Sequence, residues 1–275
     1  MTSLIPLREV AHLRLVLPLN EGRISNQLWI PVSHTELHLA CLYFPVAVRF
    51  DDGKPFLGLI LGERYLKRPA VDGSGKWQGG YKPIALRCSP FRTGMIGEDP
   101  LSDILIASPS NHLTDKDGIP IVDDGGGPSP LIREIHRLFR LLQESRAKFS
   151  EALDQLLIGN LLVPLEAADG KSPTGDEPPL HVVDGVRFME ADKRGLSAMA
   201  RHSFTALDVS VACLSSQRLL REQYRPNLVS GTKPHAEKAT SLSQESFAIE
   251  DFNLILDDGE LISLADIDVL RDKAR

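Results

Sequence analysis

The stretch from Gly75 to Phe91, GKWQGGYKPIALRCSPF, concentrates side chains that could bind a ligand. It holds two large aromatics (Trp77, Tyr81), two prolines (Pro83, Pro90), a guanidinium (Arg87) and a further ring (Phe91), in a chain with only two tryptophans and four tyrosines. Aromatic faces beside a guanidinium suit a planar or anionic ligand, held by stacking and by charge-assisted hydrogen bonds. Trp77, Tyr81, Arg87 and Phe91 are therefore the candidate ligand-binding residues. The plainer use of the same residues is structural. Aromatics bury much area wherever they sit, so they could anchor an irregular loop on the core, with Arg87 satisfying loop carbonyls.

Other constellations offer less. His34 and His38 lie at i, i+4 with Glu36 between them, a spacing that can place two imidazoles on one metal. The order is not His-Glu-x-x-His, and surface helix residues are the expected reading; no metal site is expected. Gly73-Ser74-Gly75-Lys76 resembles part of a phosphate-binding loop, but Ala70 stands where a glycine is needed and Trp77 where Ser or Thr is needed. Neither a GxGxxG nor a GxSxG run is present, so no dinucleotide site or serine-hydrolase elbow is indicated. Asp123 and Asp124 precede three glycines without the alternating oxygen ligands of a calcium loop, and read as a solvated turn. Arg133, Arg137 and Arg140 form a basic stripe that could meet phosphate or an acidic partner. With Glu134, Glu144 and Glu151 nearby it reads as a salt-bridged face. No cofactor is expected, and no catalytic residue is assigned.

The bulk numbers bound the setting. A chain of 275 residues, 42% hydrophobic and 25% charged, is an ordinary globular composition. A net charge of −6 argues against a surface that binds nucleic acid throughout. Cys41, Cys88 and Cys213 are odd in number and far apart, which suits a reducing compartment. The first residues, MTSLIPLREVAHLRLVLP, lack the pattern of a secretory signal, and no apolar run is long enough for a membrane helix. The expected location is the cytoplasm.

The elements that must position the aromatic passage can be read in turn. Leu13 to Leu17 reads as a strand. Ser33 and Glu36 make a capping box, with Val32 and Leu37 as a staple, opening a helix that Pro45 must end. Val46 to Phe50 and Phe56 to Leu61 flank Asp52-Gly53, a hairpin signal. Tyr81 to Cys88 suits a short helix, and strand-like pieces follow at Arg92 to Ile96 and Ile104 to Ala107. Ser129-Pro130 opens a long helix with apolar residues at helical spacing (Leu131, Ile135, Leu138, Leu142, Phe149, Leu153, Leu156), stopped by Gly159. A polar loop spans Ala167 to Pro179, Val182 to Phe188 reads as a strand, and helices are expected at Glu190 to His202 and Ala206 to Gln223.

The fold class expected is α+β, with a largely antiparallel sheet and several packed helices. The expected division is a domain over 1–225, a flexible linker over 226–250 and a short docking tail over 251–275. The linker is rich in Ser, Thr, Lys and Glu, and the tail regains pattern through Phe252, Leu254, Leu256, Leu264, Ile267 and Leu270.

From about Leu13 to Arg221 the chain resembles the bacterial SapC family. Tyr43-Phe44-Pro45 matches a Tyr-x-Pro strand start, and Gly75, Trp77, Tyr81 and Pro83 match the signature Gly-x-Trp-x-x-x-Tyr-x-Pro, continued by Arg87, Pro90 and Phe91. An acidic-glycine-proline turn (Asp123, Asp124, Gly125, Pro128, Pro130) then opens the long helix, and a strand from Val186 to Met189 leads into paired helices. The family takes its name from a link to bacterial surface layers. Its members tend to be encoded beside outer-membrane nutrient receptors and proteins like flavin-dependent tryptophan halogenases. No reaction is assigned to it. The resemblance implies a non-catalytic binding or accessory protein linked to nutrient uptake or the cell envelope, with a protein partner or small-molecule ligand, and allows a homo-oligomer. The alternatives are an enzyme of unrecognised mechanism at Trp77, Tyr81 and Arg87, or a surface-layer component.

Overall fold

The structure, a computed structural model, describes residues 3–16, 28–71, 77–78, 80–94, 96–108, 112–166, 179–191 and 205–224. The expected linker and tail, the helix over 190–202, the loop over 167–179 and the glycines at 73, 75 and 79 fall wholly or mainly outside these residues. The chain divides into two compact units, Met1–Val229 and Ser230–Arg275, and the second lies outside the described residues.

Element order follows the reading closely in its middle. The chain enters through β1 (Ser3–Pro6), a 3-10 turn at Leu7–Val10, β2 (Arg14–Leu15), β3 (Trp29–Pro31) and α1 (Leu37–Ala40). The hairpin β4 (Val46–Asp51) and β5 (Lys54–Ile60) follows, then α2 (Ile84–Arg87), β6 (Arg92–Thr93), α3 (Pro100–Asp103) and β7 (Ile104–Ser108). After β8 (Leu113–Thr114) and β9 (Ile119–Pro120) comes the long α4 (Pro130–Ile158). The described part ends with β10 (Leu162–Pro164), β11 (Leu180–Val183), α5 (Gly185–Glu190), α6 (Thr205–Ser216) and two 3-10 turns at Gln217–Leu219 and Glu222–Tyr224.

The strands form a five-stranded sheet in the order β10-β11-β4-β5-β3 and two three-stranded sheets, β1-β7-β6 and β8-β2-β9. Every pairing between these strands is antiparallel, and the class is α+β. The β4–β5 turn is set by Asp52 and Gly53, both at positive φ (50° and 75°). That is the backbone a two-residue hairpin loop needs to match strand twist. One expected strand is corrected. β11 ends at Val183, and Asp184 turns the chain into α5 by accepting the N–H groups of Val186 and Arg187 at 2.8 and 3.3 Å. Val186 to Met189 is therefore helical: an aspartate N-cap outweighs the β-preference of the valines before it.

Both faces of the five-stranded sheet are covered. Val46, Val48, Leu57 and Leu59 face a first core with α1, α6 and the C-terminal half of α4. Ala47, Ile60, Leu180 and Val182 alternate to the opposite face, under Tyr65, Leu220 and Tyr224. A second core gathers Leu7, Leu15, Phe91, Ile104 and Ile106 against the N-terminal half of α4. α4 thus serves two cores. Ile132, Ile135, Leu138 and Phe139 enter one, and Phe149, Ala152, Leu153 and Leu156 enter the other. Gly159 ends the helix as expected. At its start Ser129 makes no side-chain cap bond, and Leu131 and Leu142 are only partly buried.

Candidate functional site

Two short elements, α1 and α2, bring the aromatic passage into position, and one carboxylate joins them. The Ser33 N–H donates to Glu36 Oε1 at 3.0 Å, the side-chain half of the capping box. The other half is not made. The Glu36 N–H bonds the Ser33 carbonyl at 3.1 Å, and the Ser33 hydroxyl instead accepts the Thr35 N–H at 3.3 Å. Glu36 Oε2 reaches across the fold, where it accepts the Tyr81 hydroxyl at 2.6 Å and the Ile84 N–H at 2.9 Å. Glu36 is only 3% exposed. A buried carboxylate is tolerable only with such donors around it. Ile84 is the first residue of α2, where Pro83 cannot donate, so this side chain ties the start of α1 to the start of α2.

Tyr81 is held on three sides. Its hydroxyl donates to Glu36. Its ring stacks on Tyr43, with centroids 6.3 Å apart and planes inclined 30°. Beside it, a Cβ on Gly80 would lie 2.9 Å from the Tyr43 ring, so the backbone passes where a side chain would not fit. Burial first, then the hydrogen bond and charge of Glu36, push the Tyr81 hydroxyl up to about 12, against the pull of Arg87. Arg87 is exposed and directs Nη2 to the Tyr81 oxygen at 3.4 Å.

The four sequence candidates separate. Tyr81, half-buried against the first core, touches the exposed Arg87. Trp77 packs tilted on Phe44, with centroids 5.6 Å apart, at the edge of the first core. Among the described residues its buried indole Nε1 has no hydrogen-bond partner. Phe91, 1% exposed, belongs to the second core with Ile84 and Cys88. The passage therefore stitches two cores: Trp77, Tyr81 and Leu86 pack into one, and Ile84, Cys88 and Phe91 into the other. Cys88 is not poised to react, since burial pushes its thiol up to about 12.

A second polar cluster lies where α4 passes between its two cores. The Lys148 ammonium is 2.7 Å from His34 Nε2. An ammonium only donates, so Nε2 accepts and the imidazole proton sits on Nδ1, which donates to Ser145 Oγ at 2.8 Å. Ser145 also accepts the His34 N–H at 3.0 Å and donates to the Leu141 carbonyl at 2.6 Å. The serine is fully buried and its proton is committed, so this Ser–His contact fastens the α1 turn to α4 and has no free nucleophile. Burial and the charge of Lys148 lower the His34 pKa, partly opposed by Glu144. His34 and His38 hold no shared ligand set, and the described residues contain no cluster of His, Cys, Asp or Glu suited to a metal.

The basic stripe on α4 is largely neutralised in place. Arg133 pairs with Asp123 at 3.2 Å, and Arg137 holds Glu134 through two bonds of 2.7 and 2.8 Å. Among the described residues no helix is long and apolar enough to cross a membrane.

Sequence reasoning found Glu36 as a capping residue but not as the partner of Tyr81, which lies 45 positions away. It missed Ser145 and Lys148. One signal was present: Ser145 interrupts the apolar stripe of α4 between Leu142 and Phe149.

No curated protein and no solved structure matches the chain. The family model described as SapC matches residues 8–222, which span the aromatic passage, the capped α1 and all of α4. The chain belongs to the SapC family.

Proposed function

We propose that this chain is a non-catalytic binding or accessory protein, acting with a partner system in nutrient uptake or the cell envelope. Its contact surface is the aromatic passage beside α1, with Arg87 exposed and Tyr81 and Trp77 half-buried. The observation that carries this reading is the commitment of the Tyr81 hydroxyl to the buried Glu36. The groups that could move protons satisfy each other, while the stacked rings and the guanidinium face outward. Such a surface suits recognition better than proton transfer. Three buried, unpaired cysteines agree with a reducing, cytoplasmic setting.

The test is affinity capture from native lysate with wild type, Arg87→Ala and Trp77→Ala/Arg87→Ala, at matched thermal stability, read by protein and metabolite mass spectrometry. A partner or small molecule lost from both variants is expected. Equal capture by wild type and Arg87→Ala would overturn the reading. Arg87 is exposed, so its removal leaves the cores intact if the double variant fails to fold.

A further inference from the structure

Lys148 stands one helical turn after Glu144 on α4, the spacing at which an exposed lysine meets a carboxylate. It does not take that partner. Among the described residues its one hydrogen bond runs from Nζ to His34 Nε2 at 2.7 Å, and it makes no ion pair. The imidazole cannot turn that nitrogen away. Its Nδ1–H donates to Ser145 Oγ at 2.8 Å, and the Ser145 proton is spent on the Leu141 carbonyl at 2.6 Å. The Nε2 lone pair is thus fixed toward Lys148 by a chain of bonds that ends in the backbone of α4.

The three side chains stand in the order nucleophile, base, orienting group, an arrangement that activates nucleophiles for acyl transfer. The nucleophile here is the amine; the serine, fully buried, is the orienting group. Lys148 is exposed and His34 half-buried, so a small electrophile reaches Nζ from solvent with the base behind it. An imidazole helps an amine at one step. Attack on a carbonyl carbon gives an intermediate with a cationic nitrogen, and this reverts unless the nitrogen loses a proton. The base that takes it must lie within hydrogen-bond reach and be unprotonated. Burial and the Lys148 charge, against the pull of Glu144, hold the His34 pKa below its ordinary value and keep Nε2 unprotonated at neutral pH.

We propose that Lys148 is a site of covalent acylation by small acyl thioesters, with His34 as the base and Ser145 holding it in place. In its free-amine form Nζ attacks the thioester carbonyl carbon and a C–N bond forms. The nitrogen passes a proton to His34 Nε2, the C–S bond breaks, and the imidazolium proton goes to the departing thiolate. The products are an N-acyl lysine and a thiol, and no oxidant or reductant is needed. The amide keeps one N–H for Nε2 but carries no charge, so acylation removes a cation from the joint between α1 and α4. The reaction is stoichiometric. Lys148 is an acceptor of modification, and the proposal goes beyond the binding reading without depending on it.

The full chain is incubated at neutral pH with S-acetyl-N-acetylcysteamine, and acetylation of each lysine is followed in time by peptide mass spectrometry. Lys148 is expected to acetylate about tenfold faster than Lys54 and Lys116, which are also exposed. His34→Gln keeps a polar side chain but supplies no base. It is expected to bring Lys148 down to the rate of the other two and to leave theirs unchanged. Unfolding would alter all the lysines, so the ratio separates loss of the base from loss of the fold. Glu144→Gln removes the neighbouring charge and keeps the relay, and Lys148 should remain the fastest. Equal rates at the three lysines of the wild type would overturn the proposal. So would an unchanged ratio in His34→Gln, or a fall in Glu144→Gln as large as that in His34→Gln.

Discussion

Glu36 shows how one residue can serve two purposes that the sequence displays separately. Its place three positions after Ser33 is a local signal, and that half of its role was legible. Its bond to Tyr81 is not local, and nothing in the spacing of either residue announces it. Tyr81→Phe leaves the ring in place and removes one donor from a buried carboxylate. We expect a loss of about 1.5–3 kcal/mol, the range for hydrogen bonds to charged groups, read from urea unfolding. An unchanged midpoint would mean that the Glu36 contact adds nothing. His34 makes a second prediction at this scale. Its folded pKa lies below the ordinary 6.5, so the unfolded chain takes up the proton more readily. Its contribution is complete above 6.5 and is lost as pH falls from there through the lower folded value. His181, also lowered by burial, acts with the same sign. The difference between wild type and His34→Gln in Tm against pH therefore isolates His34. It should shrink as pH drops from 7 to 5, and a flat difference would contradict the Lys148–His34–Ser145 arrangement.

At the level of elements, legibility followed the range of the forces involved. The β4–β5 hairpin and α4 were plain because Asp52-Gly53, Ser129-Pro130 and Gly159 act within a few residues of themselves. β1, β3 and β10 were not, because each is a short edge strand defined by a partner far along the chain: Ser3 pairs with Ser108, and Trp29 with Ile60. The error at Val186 to Met189 has a specific cause. Valines before a helix look like a strand carried on, and only the Asp184 side chain decides otherwise. Asp184→Ala should therefore cost about 1 kcal/mol, and α5 should show faster amide exchange at Val186 and Arg187 in mass spectrometry. Unchanged exchange there would mean that the Arg187 bond to the Asn160 carbonyl holds α5 without its cap. The candidate site was legible in part for the same reason. Trp77, Tyr81 and Arg87 stood out by type, but which of them face outward depends on Tyr43, Phe44 and Glu36, which no spacing links to them.

For the whole molecule, we propose that residues 226–250 are a linker and 251–275 a tail attached to an independent domain. A chain ending at Arg225 is expected to keep the Tm of the full chain within a degree or so, since surface segments without core contacts alter stability little. A large drop would show that the domain needs its C-terminal segment. Within the described part the first and second cores share α4 and the aromatic passage, so neither of these has a complete set of walls without the other. α4 acts mechanically as a beam through both, about 44 Å long at the usual rise per residue. Force applied across the domain in an optical trap cannot peel one core away while the beam keeps the other loaded. The expected trace is one rip with no plateau at half extension. A two-step trace would mean that the beam snaps near Ser145, at the polar waist between its apolar halves.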